Sequence, residues 1–70
     1  MPLRMLKSGD TASVQRVTGT DEVRSHLAEL GFVPGTIVKV VNNIGGNLIV
    51  QVKDSRVAID ERMANRVIVA

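Results

Sequence analysis

Reactive side chains are scarce in this chain, and its single histidine, His26, is the place where chemistry could begin. Glu22 lies four residues before it and Glu29 three after, so in a helix the three would share one face. An imidazole between two carboxylates is a donor set that divalent metals accept. A dedicated iron site would want a second histidine or more converging acids, and nothing else in the chain clearly supplies them. The weightier reading of His26 is therefore a solvent-facing helix residue with ion-pair neighbours, and weak metal binding through Glu22, His26 and Glu29 is the lesser one. The chain has no cysteine, which removes disulfides and thiolate zinc sites from consideration. Gly45-Gly46 could be taken for a phosphate cradle, but the Lys-Ser/Thr pair and following helix that such a loop needs are missing. A hairpin turn explains the two glycines better. With no nucleophile–base arrangement in sight, neither catalysis nor a cofactor is expected.

The elements that must position these residues are legible from periodicity. Val23, Leu27 and Leu30 fall at i, i+4 and i+7, the spacing of one helix face. Thr20 or Asp21 can cap that helix, and Asp21 and Glu22 suit its positive end. Gly31 is the expected left-handed stop. Pro34-Gly35 supplies the fixed φ and the positive φ of a type II turn. Thr36 to Asn42 continues as a β-branched strand, and Asn43-Ile44-Gly45-Gly46 reads as its turn. Asn47 to Lys53 alternates cleanly, with Leu48, Val50 and Val52 on one side. Asp54-Ser55 is expected as a short turn, Arg56 to Ile59 as the returning strand, Asp60 to Asn65 as one helical turn, and Arg66 to Ala70 as a closing strand. At the front, Leu3, Met5 and Leu6 are an apolar opening that Ser8-Gly9-Asp10 ends as a turn. Thr11 to Val17 is the first strand, and Val17 is out of phase with Ala12 and Val14, which predicts a bulge or a strong bend. Five short strands separated by turns predict a mainly β fold, a small barrel whose closure removes sticky edges.

Composition narrows the classes of function. Seventy residues make a single small domain, residues 1–70, and an apolar share of 44% argues against disorder. The apolar runs are too short to span a bilayer, and no charged N-terminal segment leads into a signal stretch. The expectation is a soluble cytoplasmic protein with no direct membrane insertion. Nine basic and seven acidic side chains give a net charge of +2, scattered along the chain rather than clustered, so nucleic acid is not an expected partner. One Phe and no Trp or Tyr cannot build the stacking platform for single strands or the groove for proline-rich peptides.

On these residues the sequence resembles the ferrous-iron transport protein A family, FeoA. The resemblance covers nearly the whole chain, from Leu6 and Gly9 through Val14 and Val17. It peaks over Arg24-Ser25-His26-Leu27-Ala28-Glu29-Leu30-Gly31-Phe32-Val33-Pro34-Gly35-Thr36 and resumes at Gly45-Gly46, Leu48, Val50, Val52, Val57-Ala58-Ile59, Ala64, Val67 and Val69. It implies an SH3-like barrel of about five strands, with one inserted α-helix and a short helical turn before the last strand. It also implies a cytoplasmic accessory protein of ferrous-iron uptake, whose partner is a FeoB-like transporter with a cytoplasmic GTP-binding domain. Two positions depart from the family pattern: Phe32 stands where Leu or Met is more usual, and His26 where Arg or Lys is common. The second departure weakens His26 further as an iron ligand.

The segment richest in family residues carries no chemistry, so the helix and the Gly31–Thr36 elbow are the expected docking surface. Its contact residues are Arg24, Glu29, Gly31, Phe32, Pro34 and Gly35, with Ile49 added from the sheet. Ile37, Val41, Ile49 and Phe32 would form either an apolar partner patch or an outer layer buried under barrel curvature and the helix, the latter being preferred. A homodimer is compatible with the sequence. The alternative function is a free-standing SH3-like regulatory module, related to the C-terminal domain of iron-dependent repressors and binding divalent metal weakly.

Overall fold

The computed structural model describes residues 1–70. A 3-10 turn, Leu3–Met5, leads into β1 (Thr11–Val17), α1 (Asp21–Glu29), β2 (Ile37–Ile44), β3 (Asn47–Val52), β4 (Ser55–Ile59), α2 (Glu61–Arg66) and β5 (Val67–Val69). The five strands form one antiparallel sheet in the order β4-β3-β2-β1-β5. One side of every strand feeds a single apolar cluster, with Val14, Val38, Val40, Leu48, Val50, Ile59, Val67 and Val69 among its members. Leu3 and Leu6 from the N-terminal segment, Leu27 from α1, Phe32 from the elbow and Ala64 from α2 complete it. The fold is thus the expected mainly β architecture, with α1 inserted between β1 and β2 and α2 standing before the last strand.

Two register shifts bend the sheet. The β1–β5 ladder slips between Val14 and Arg16, which accounts for the phase change at Val17. A second slip, between Val40 and Asn42, leaves Val41 as the extra residue of β2. Two turns differ from the expectation, one in length and one in position. Asn43 and Ile44 pair with Leu48 and Asn47, so the β2–β3 turn shrinks to Gly45-Gly46. The Asn43 side chain accepts from the Gly46 amide (3.0 Å) and donates to the Leu6 carbonyl (2.7 Å), which extends the hairpin and anchors the N-terminal segment. The β3–β4 turn is Lys53-Asp54, not Asp54-Ser55, because Val52 pairs directly with Ser55. Lys53 adopts φ 55° there, and the Gln51 side-chain amide bonds its carbonyl at 3.0 Å.

The barrel does not close. β4 and β5 lie at opposite ends of the strand order and do not pair, so the expectation that closure removes every edge fails at β4. The β5 edge is covered instead: the Val69 amide donates to the Met1 carbonyl (2.8 Å), and Pro2 bridges Ile68. Burial of both sheet faces also fails. Ile37 is 63% exposed and Ile49 39%, so the outward face of the sheet has no cover over these side chains.

Candidate functional site

The helix and elbow are fixed mainly by backbone bonds. Thr20 caps α1, its hydroxyl accepting from the Val23 amide at 3.2 Å. At the other end the Gly31 amide donates to Ala28 and the Phe32 amide to Leu27, both at 3.0 Å. That pair of bonds is a Schellman stop, with Gly31 at φ 105°. A Cβ on Gly31 would sit 2.8 Å from Val52 Cγ1, so the stop rests against the end of β3. Pro34-Gly35 forms the expected turn, closed by a Thr36 amide to Val33 carbonyl bond of 3.1 Å, with Gly35 at φ 92°. The elbow is then tied to β1 by Gly35 to Val14 (2.8 Å) and Val14 to Thr36 (2.9 Å).

The expected contact residues divide into groups. Arg24 and Glu29 are exposed on α1, and Pro34 and Gly35 are exposed on the elbow. Arg24 is engaged by Asp21 one turn earlier on the same helix. Gly31 is partly covered. Phe32 is a correction: it is 1% exposed and belongs to the core, because the Schellman stop turns the residue after Gly31 inward alongside Leu27. It cannot be a partner contact. Ile49 lies apart from the elbow, on the outward face of β3 between Asn42 of β2 and Ala58 of β4. The expected apolar patch is therefore broken. Phe32 is absent from the surface, and Ile37 is separated from Ile49 by the paired Lys39 and Gln51.

Glu22, His26 and Glu29 are all exposed on α1, and no group of three or more His, Asp or Glu side chains converges anywhere in the structure. Two shallow grooves mark the surface. One, of about 390 Å³, lies on the outward face of the sheet and includes Lys39, Gln51 and Arg56. The other, of about 360 Å³, is wholly polar and lined by Arg4, Glu61, Arg62 and Asn65. Arg4 donates to Asn65 there at 3.0 Å and stands 3.9 Å from Glu61, which ties the N-terminal segment to α2. The structural asparagines were missed in the sequence. Asn43 stitches the hairpin to Leu6, and Asn47 accepts from the Glu61 amide at the start of α2 (3.0 Å). The only sequence signal is an Asn three residues before a Gly, a spacing that a turn explains by itself.

The FeoA domain model matches residues 1–70. The chain belongs to the FeoA family. No curated protein matches the sequence. Among solved structures, an iron uptake regulatory protein (FeoA) is 31% identical, with 100% of this chain and 93% of that chain covered at a TM-score of 0.92. FeoA of Stenotrophomonas maltophilia, solved with zinc, is 37% identical, with 100% and 89% covered and a TM-score of 0.86. That protein is described as a procaryotic SH3 domain protein and a candidate activating factor of bacterial ferrous iron transport. The SH3-like architecture implied by the sequence is thereby shown for this FeoA member. A manganese-dependent transcriptional repressor shares the fold alone: 18% identity, 96% of this chain, 39% of that chain, TM-score 0.87. No helix here is long and apolar enough to cross a membrane.

Proposed function

We propose that this FeoA member is a cytoplasmic accessory protein that docks on a FeoB-like ferrous-iron transporter, at the GTP-binding domain, and modulates transport. The observation that carries this reading is the build of the helix and elbow. The segment with the most specific family residues is held by a Thr cap, a Schellman stop and a type II turn tied to β1, and no cluster of metal-ligating side chains converges on it. A surface fixed this firmly suits docking, because little conformational freedom is lost on binding. The contact residues are Arg24 and Glu29 on α1 with Pro34 and Gly35 on the elbow; Gly31 shapes the edge from behind. Ile49 offers a separate apolar contact from the outward face of the sheet.

The test is titration of the protein against the isolated FeoB GTP-binding domain. Arg24→Glu should weaken association by about tenfold or more, as reversal of a rim charge does. Unchanged affinity of a folded Arg24→Glu, Pro34→Ala double variant would remove this surface. No association of the wild-type protein at any accessible concentration would remove the reading itself.

A further inference from the structure

Hydrogen-bond parity across the sheet decides which backbone groups of β4 are free. The Val40 amide donates to Asp10 (2.9 Å) and its carbonyl accepts from Gly9 (2.7 Å), so Val40 faces β1. Alternation then turns Lys39 toward β3, where it stands opposite Gln51. Gln51 faces β2, and its neighbours Val50 and Val52 face β4. Their partners are Val57 and Ser55, so Arg56 and Ala58 direct their N–H and C=O groups away from the sheet. No turn, loop or cap bond reaches either residue, and both are exposed. This is a ready template for another strand.

Charge lies beside that edge. Lys39, Gln51 and Arg56 stand in one row across β2, β3 and β4. The groove over them, lined by Gly9, Lys39, Val40, Val41, Gln51 and Arg56, holds two cations and no acid. Neither cation is in a salt bridge. Arg56 donates from Nε to Gln51 Oε1 at 3.1 Å, which leaves its Nη groups for a carboxylate. Asp54 and Asp60 bracket the strand, so a visiting acid is favoured only at its middle.

We infer that β4 accepts an extended acidic segment of a partner protein as an additional antiparallel strand. Its backbone bonds Arg56 and Ala58, and one carboxylate side chain meets the Nη groups of Arg56, with Lys39 two strands further in adding only to the positive field. Residues alternate with that acid and face inward beside half-buried Val57, so they are apolar. A second copy fits less well. Its own β4, Ser55-Arg56-Val57-Ala58-Ile59, carries no acid, and symmetric pairing sets Arg56 of each copy diagonally across from the other. This site is distinct from the elbow and does not depend on the identity of the transporter.

The probe is a capped synthetic peptide of alternating Glu and Val, with a Lys and Val peptide as control. Amide exchange followed by NMR should slow by about fivefold or more at Arg56 and Ala58 with the acidic peptide, and not with the basic one. Ala58→Pro removes an outward N–H while leaving the β3–β4 bonds in place, and should weaken binding by about tenfold. Arg56→Glu should abolish it, and this variant decides the matter if Ala58→Pro does not fold. Unchanged exchange at Arg56 and Ala58, or protection confined to α1, overturns the proposal. Protection of the same two amides by raising protein concentration without peptide also overturns it, assigning the edge to a second copy.

Discussion

Gly31 shows how much one absent methyl group can fix. Its φ of 105° belongs to a region that side chains strain to reach, and a Cβ would stand 2.8 Å from Val52 Cγ1. Gly31→Ala should therefore cost about 2–4 kcal/mol, the sum of a left-handed penalty and local overpacking. Gly35→Ala is the control, because a Cβ there meets nothing within 4 Å and only the backbone penalty of about 1–2 kcal/mol applies. Urea unfolding midpoints would separate the two. Asn43→Ala should lose about 1–3 kcal/mol, since the Leu6 carbonyl and the Gly46 amide both lose a partner in a partly buried setting. His26→Ala should stay within about 0.5 kcal/mol of wild type by the same assay, because the side chain is exposed and the carbonyl bond from Leu30 does not depend on it. At this scale the sequence was a good guide to glycine and a poor one to asparagine. A left-handed stop depends on local backbone alone, whereas Asn43 and Asn47 each also bond a residue far along the chain, 37 and 14 positions away.

The helices and hairpins were legible for the same reason: their signals are local. Val23, Leu27 and Leu30 marked one face of α1, and the structure half-buries, buries and half-buries them in turn. Strand boundaries slipped by one or two residues where tertiary bonds outvoted turn preference, at Asn43-Ile44 and at Ser55. The fate of Phe32 was not legible, because its direction depends on how the Schellman stop turns the chain. The caps give an element-level prediction. Thr20→Ala and Asp60→Ala each remove a side-chain acceptor from a helix start, from Val23 and Met63 respectively, and each should cost about 1 kcal/mol. Circular dichroism during thermal unfolding would show both as a lowered midpoint with an unchanged folded-state spectrum.

At the scale of the molecule the margin is small. Fifteen buried residues form the whole core, and a chain of this size has only about 3–5 kcal/mol of net stability from it. Phe32→Ala should remove about 3–5 kcal/mol and leave the protein largely unfolded, visible as collapsed amide dispersion in an NMR spectrum. Such a variant cannot report on docking, whereas Arg24→Glu and Ile49→Ser alter exposed side chains and can. The open β4 edge was not legible beforehand, since strand count and turn spacing do not say whether the first and last neighbours meet. Val52 closes the account. Its methyl touches the space beside Gly31, and its backbone pairs with Ser55 at the root of β4. An isotope-labelled Val52 methyl is thus a single spectroscopic sentinel placed between the elbow and the free strand. Opposite chemical-shift displacements for the two ligand classes would reveal whether the two surfaces communicate or act as strangers.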